Sequence, residues 1–233
     1  MKIGIICADE CELAPFIPVI QKRNTTRHAM LDFHEGTISN ADVVAVYSGV
    51  CKVNAAVAAQ LMIDRFNAEM IINAGTAGGM DPAVRIFDTV ISSEVCYHDV
   101  RPDNLTAYHP WLETPFFRTE TKFVELSKSA VSKTKTEGKV FWGRIVTGES
   151  FITDEGRDRI MKAFSPLAVD MESAAIAHVC HVNSLPFISI RSITDTAQHS
   201  GVETFEENCE KAAAISKDIT VSFIKELAGN DII

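Results

Sequence analysis

A chain of 233 residues, 46% of them hydrophobic and 23% charged, is long and apolar enough for a single α/β domain over 1–233, and this composition excludes long disordered tracts. The 31 acidic side chains outnumber the 22 basic ones for a net charge of −9, which argues against nucleic acid as a partner, since that binding rests on basic residues neutralising phosphates. No stretch approaches the roughly 18 apolar residues a bilayer span needs, the start lacks a secretory pattern, and six scattered cysteines suggest no disulfide or metal framework, so the expectation is a cytoplasmic protein without membrane contact.

In chain order, an apolar strand is predicted at 3–7, running into the polar segment 8–12. Residues 30–46 offer two antiparallel strands around the turn-like Ser39-Asn40-Ala41-Asp42, with 43–47 as a core strand. A helix follows at 53–66, then a strand at 70–73 that breaks into a glycine-rich turn over 75–79. Further strands are expected at 89–92 and 140–147. A short strand at Val169-Asp170 meets a helix over 173–182, and a strand at 187–193 precedes a last helix at 206–227. This alternation predicts a three-layer α/β/α fold around a central mixed, mostly parallel sheet. Four polar or glycine-bearing segments, 8–12, 75–79, 148–152 and 194–199, follow strands, so they are expected to converge where open α/β sheets bind ligands.

Three segments carry candidate chemistry. The turn at 75–79 can present backbone N–H groups and the Thr76 hydroxyl to a ligand, although it matches neither a nucleotide-phosphate loop nor a dinucleotide fingerprint, and a plain tight turn is an open alternative. Val169-Asp170-Met171-Glu172 sets two carboxylates at a helix start, where they either answer the helix dipole or accept bonds from a sugar diol. Arg191 to Asp195 ends a strand with a cation and an acid. In a desolvated pocket such an acid keeps its proton near neutrality and can donate it, whereas a turn or cap role is the simpler alternative. The pairs His98-Asp99 and His178/His181, lacking further ligands, are read as structural, and Lys128, Lys133, Lys135 and Lys139 as a solvated helix end. No metal is expected.

Taken with the amino terminus, these segments resemble the 5′-methylthioadenosine/S-adenosylhomocysteine nucleosidase family within the nucleoside phosphorylase fold. The matching stretches include Lys2-Ile3-Gly4-Ile5-Ile6 leading to Glu12, Ser48-Gly49-Val50-Cys51-Lys52-Val53, the glycines at 75, 78 and 79, Tyr97-His98-Asp99, Gly148-Glu149-Ser150-Phe151-Ile152, Val169-Asp170-Met171-Glu172 and Arg191-Ser192-Ile193-Thr194-Asp195. The resemblance implies an enzyme that hydrolyses the N-glycosidic bond of these nucleosides without metal or organic cofactor. Glu12 would activate water and Asp195 would protonate the imidazole-ring nitrogen of adenine. Glu172 would hold the ribose hydroxyls with Met171 against the sugar, Phe151 would stack on the purine, and the Ile152 backbone would read its edge. Thr76, Gly78 and Arg191 would help place water and ribose, and Phe205 would close over the sugar.

Two stretches depart from the family pattern. Asp9 stands where an apolar residue is familiar, close enough to Glu12 to raise its proton affinity, and the 99–117 loop is divergent. Its apolar residues Tyr108, Pro110, Trp111, Leu112, Pro115, Phe116 and Phe117 suggest a homodimer interface, with folding onto the chain's own core as the alternative. Asp170 is expected to be dispensable. A phosphorolytic enzyme of the same fold remains open, although segments 3–21 and 71–84 lack Lys and Arg, and so does a module that binds adenosine derivatives without turnover.

Overall fold

The computed structural model describes residues 1–108, 112–153 and 156–230. Among the described residues, ten strands form one mixed sheet, whose order is β10-β6-β8-β9-β5-β1-β4-β3-β2, with β7 (Phe117–Arg118) beside β6 and a further pairing of β10 with β5. At its centre, β1 (Lys2–Cys7) lies parallel to both β4 (Ala41–Tyr47) and β5 (Met70–Gly79), and β5 lies parallel to β10 (Phe187–Asp195). β6 (Thr89–Tyr97) is parallel to β8 (Val140–Thr147) and antiparallel to β10, so the second half of the sheet curls back on itself through β9 (Ala168–Asp170).

Alternation along each central strand divides the apolar residues between two layers. Ile3, Ile5, Val43, Ala45, Met70 and Ile72 face one core, which α7 (Val202–Gly229) covers with Ile219, Phe223, Ile224 and Leu227 and α4 (Thr121–Ser132) with Phe123 and Ala130. Ile6, Val44, Val46 and Ile71 face the other, covered by α2 (Lys52–Phe66) and α6 (Ser173–Val182), whose small Ala174, Ala175 and Ala177 let the helix sit close to the sheet. The expected three layers are therefore present, and no described helix is long and apolar enough to cross a membrane.

Strand β3 (Leu31–Ile38) joins β4 within the expected Ser39-Asn40-Ala41-Asp42 segment, but the turn is only two residues long, with Ser39 and Asn40 both at positive φ (50° and 68°) and Ala41 and Asp42 already in β4. An additional strand, β2 (Gln21–His28), was not anticipated. Its turn is Ala29-Met30, which carries none of the residues that favour positive φ, and its side chains are mostly exposed. The short helices α1 (Glu10–Leu13), α3 (Pro102–Tyr108) and α5 (Arg157–Phe164) complete the set.

The glycine-rich segment is a correction: β5 runs on through Gly79 instead of turning at residue 75. Its glycines let one strand bond β10 through Gly78 and then β9 through Gly78 and Gly79. Asp195 likewise ends a strand instead of forming a turn, opposite Gly78 in register.

Candidate active site

The four segments converge. A cavity of about 230 Å³ opens at the carboxyl ends of the central strands, lined by Asp9 and Glu12 after β1, Thr76 and Gly78 on β5, Ser150, Phe151 and Ile152 after β8, Met171 and Glu172 after β9, and Asp195 on β10. Phe205 and Val202, from the first turn of α7, complete a wall, and the Phe205 ring meets Phe151 edge-on at 6.1 Å. Val50, Thr194 and Val202 also line it, none of them with a role assigned from the sequence, and so does Asp170, one of the two carboxylates noted at the helix start. Val50 lay inside a matching stretch, whereas nothing in the sequence around Val202 marks it.

Glu12 is buried and held from several directions. It accepts the Ala8 N–H at 2.6 Å, and the Thr76 N–H and hydroxyl at 2.6 and 2.8 Å. Thr76 lines the cavity itself and also orients Glu12 through both its backbone and its side chain. Gly75, at φ 156°, passes so close that a Cβ there would fall on the Glu12 carboxyl. Asp9 is explained as the cap of α1, its Oδ1 accepting the Glu12 N–H at 3.0 Å. Burial pushes the Glu12 carboxyl above its ordinary range, Arg191 pulls the other way, and Asp9 adds to the rise.

Arg191 is fully buried and does not line the cavity. Its guanidinium lies 3.0 Å from Glu172, 3.1 Å from Asp170 and 3.4 Å from Glu12, one cation among three carboxylates. Any effect it has on a ligand therefore passes through those groups. Glu172 also accepts the Cys51 N–H at 2.9 Å, an unpaired donor at the start of α2 where Cys51 sits at φ 84°. Burial raises the Glu172 carboxyl to about 7, against Arg191 and with help from Asp170 and Glu12. One buried cation cannot offset every neighbouring negative charge, so Glu12 and Glu172 hold protons more tightly than free carboxylates do.

Asp170, expected to be dispensable for activity, is buried and engaged on both oxygens. Its Oδ1 accepts the Thr147 hydroxyl at 2.6 Å and the Ser173 N–H at 3.2 Å, and its Oδ2 meets the Ser173 hydroxyl as well as Arg191. It pins the start of α6, and with it Glu172, to the sheet.

Asp195 is the opposite case. Its Oδ1 accepts the Thr194 hydroxyl at 2.9 Å, while its buried Oδ2 has no partner among the described residues. Burial raises this carboxyl, opposed by the Thr194 hydroxyl and the charge of Arg157. A Cβ on Gly78 would sit 3.2 Å from Oδ2, so glycine at this position keeps that oxygen from being crowded. A buried carboxyl with one unsatisfied oxygen and a raised proton affinity is suited to donate a proton to a bound base.

The remaining polar groups brace the frame. Asp99 pairs with Lys52 at 2.9 Å and accepts the Glu149 N–H at 2.9 Å, tying the loop that carries Phe151 and Ile152 to α2. His178 stacks on Phe117 at 5.0 Å, and Lys133 pairs with Glu226 at 2.8 Å at the end of α4, as structural groups would. Of the apolar loop residues, Leu112 and Phe117 pack into the chain's own core and Phe116 lies under Arg144, whereas Tyr108 is 80% exposed. Pro110 and Trp111 lie outside the described residues.

A family model described as the phosphorylase superfamily matches residues 2–225. The 5′-methylthioadenosine/S-adenosylhomocysteine nucleosidase of Colwellia psychrerythraea is 38% identical over 240 residues, covering 98% of each chain. A crystal structure of a Colwellia psychrerythraea nucleosidase of that name, in complex with adenine, superimposes with a TM-score of 0.90 at 37% identity, covering 97% of this chain and 96% of that one. The Streptococcus pneumoniae nucleosidase with a transition-state inhibitor gives 0.89 at 30% identity, covering 97% and 100%.

Proposed function

The chain belongs to the phosphorylase superfamily and, within it, to the 5′-methylthioadenosine/S-adenosylhomocysteine nucleosidases, and we propose that the cavity between Glu12 and Asp195 is where it works. It is an N-glycosyl hydrolase that cleaves both nucleosides to adenine and a thioribose product. Two buried carboxyl groups with raised proton affinity border one cavity, and this pairing carries the assignment of roles.

Cleaving the bond builds positive charge on the sugar and negative charge on the leaving base. Asp195 gives its proton to the imidazole-ring nitrogen of adenine, and Glu12 takes one from the attacking water. Glu172 holds the ribose hydroxyls, Met171 packs on the sugar, and Gly78 leaves the space beside Asp195. Phe151 stacks on the purine, the Ile152 backbone reads its edge, and Phe205 closes over the ribose. Arg191 positions the carboxylates from behind, and Thr76 orients Glu12.

Water is favoured over phosphate by the lining of the cavity. It holds Asp9, Glu12, Asp170, Glu172 and Asp195 but no Lys or Arg among the described residues, and Arg191 is already engaged by three carboxylates. A phosphate dianion there would find no free cation to pair with.

The whole chain acts as one domain, and a homodimer in the cytoplasm is its working form. In support of the dimer, Val50, Val53 and Val57 form an exposed apolar stripe at the start of α2, beside the cavity, with Val53 72% exposed. Chromatography of the chain incubated with methylthioadenosine or S-adenosylhomocysteine tests turnover. Free adenine is the expected product, and either nucleoside bound but intact after prolonged incubation would mean a binding module instead.

A further inference from the structure

Cys11, on α1 beside Glu12, and Cys209, on α7, place their sulfur atoms 2.7 Å apart. Both are free thiols, with Cys11 partly exposed and Cys209 buried. Sulfurs in ordinary contact lie further apart, and a disulfide needs about 2.05 Å. Two thiolates on a shared zinc ion, each about 2.3 Å from the metal at a tetrahedral angle, would lie about 3.7 Å apart. Closing the pair therefore needs a smaller shift than opening it for a metal, although Asp9 offers a third ligand atom nearby.

The position matters because of what each helix carries. On α7, Val202 and Phe205 line the cavity, and Cys209 lies one turn beyond Phe205 on the same face. On α1, Cys11 immediately precedes Glu12. A covalent bond here would join the helix face that closes over the ligand to the turn that holds the carboxylate.

We propose that Cys11 and Cys209 form a disulfide under hydroperoxide stress, and that this link restrains the closing face of α7 and lowers turnover. The Cys11 thiolate attacks a peroxide oxygen, the O–O bond breaks, and an alcohol, or water from hydrogen peroxide, leaves with a proton. The resulting sulfenic acid is attacked by the Cys209 sulfur. The S–S bond forms as the S–O bond breaks, and the departing hydroxide takes the Cys209 proton as water. Two thiols are oxidised by two electrons, and one hydroperoxide is reduced. Burial holds the Cys11 thiol above its ordinary range, and Asp9, Glu12 and Glu210 add to the rise while contact with Cys209 opposes it, so the reaction calls for sustained exposure.

The test treats the full-length enzyme with hydrogen peroxide, alkylates the remaining thiols and maps the peptides by mass spectrometry, with turnover assayed before and after a dithiol reductant. A Cys11–Cys209 linked peptide should appear together with an at least threefold fall in turnover that the reductant restores. Cys11→Ser and Cys209→Ala should each keep untreated activity and lose both effects. The proposal is overturned if both thiols remain alkylatable, if Cys11 stops at a sulfinic acid, if the link forms without changing turnover, or if Cys11→Ser shows the same loss. Stoichiometric zinc retained by the reduced wild-type chain and lost in both variants would overturn it in favour of a metal site. Peptide mapping does not depend on the assigned reaction, so failure of the link and failure of the nucleosidase reading are distinguishable.

Discussion

Asp195 and Glu12 differ in what already satisfies them. Glu12 is fully engaged by Ala8 and Thr76, whereas Asp195 keeps one buried oxygen for the ligand. Asp195→Asn keeps the shape and can still donate a hydrogen bond, so substrate binding should stay within about tenfold, or about 1.4 kcal/mol. Single-turnover release of adenine should fall by about two orders of magnitude or more, the scale of a positioned acid. Near-normal turnover would remove Asp195 from the chemistry. Glu12→Gln should lose turnover alike. Glu172 makes a separate prediction about stability. Its carboxyl is raised in the folded chain to about 7, so the native state binds more protons than the unfolded one between the ordinary carboxylate range and pH 7. The contribution of this group to stability therefore falls as pH rises through that window, by up to about 3 kcal/mol. The melting temperature of wild type relative to Glu172→Gln should drop steadily between pH 4.5 and 7.5, and a constant or growing difference would contradict the raised carboxyl.

At the scale of elements, the site depends on how closely β5 passes α1. Gly75, at φ 156° within β5, sits where any side chain would displace the Glu12 carboxyl. Gly75→Ala should lower turnover at least tenfold and lower the melting temperature as well. An alanine variant with both unchanged would show that the close approach is unimportant. Much of this level was legible in the sequence. The helix at 173–182 and the Ser39-Asn40 turn follow from periodicity and turn chemistry, which are local properties. What escaped was set by tertiary partners. Strand β5 continues through its glycines because β9 and β10 supply hydrogen bonds there, and β2 forms through an Ala29-Met30 turn that local preference disfavours. The carboxylates around Arg191 come from two segments distant from it, one with Glu12 and one with Asp170 and Glu172, so their shared cation could not be read from spacing, and Asp9 became intelligible only as the cap of α1.

At the scale of the whole molecule, the stripe of Val50, Val53 and Val57, which begins at a cavity-lining residue, and Tyr108 leave apolar surface exposed. Light scattering at micromolar concentration should give twice the 25.6 kDa chain mass, and Val53→Asp combined with Val57→Asp should shift it to the monomer. A wild-type monomer would reject the dimer. The central claim, that an acidic cavity makes water the nucleophile, is tested most directly by running the reaction on methylthioadenosine in ¹⁸O-labelled water with millimolar phosphate present. The account predicts free methylthioribose carrying one ¹⁸O at its anomeric carbon, at a rate unchanged when phosphate is omitted, whereas an unlabelled sugar 1-phosphate whose formation depends on phosphate would contradict it.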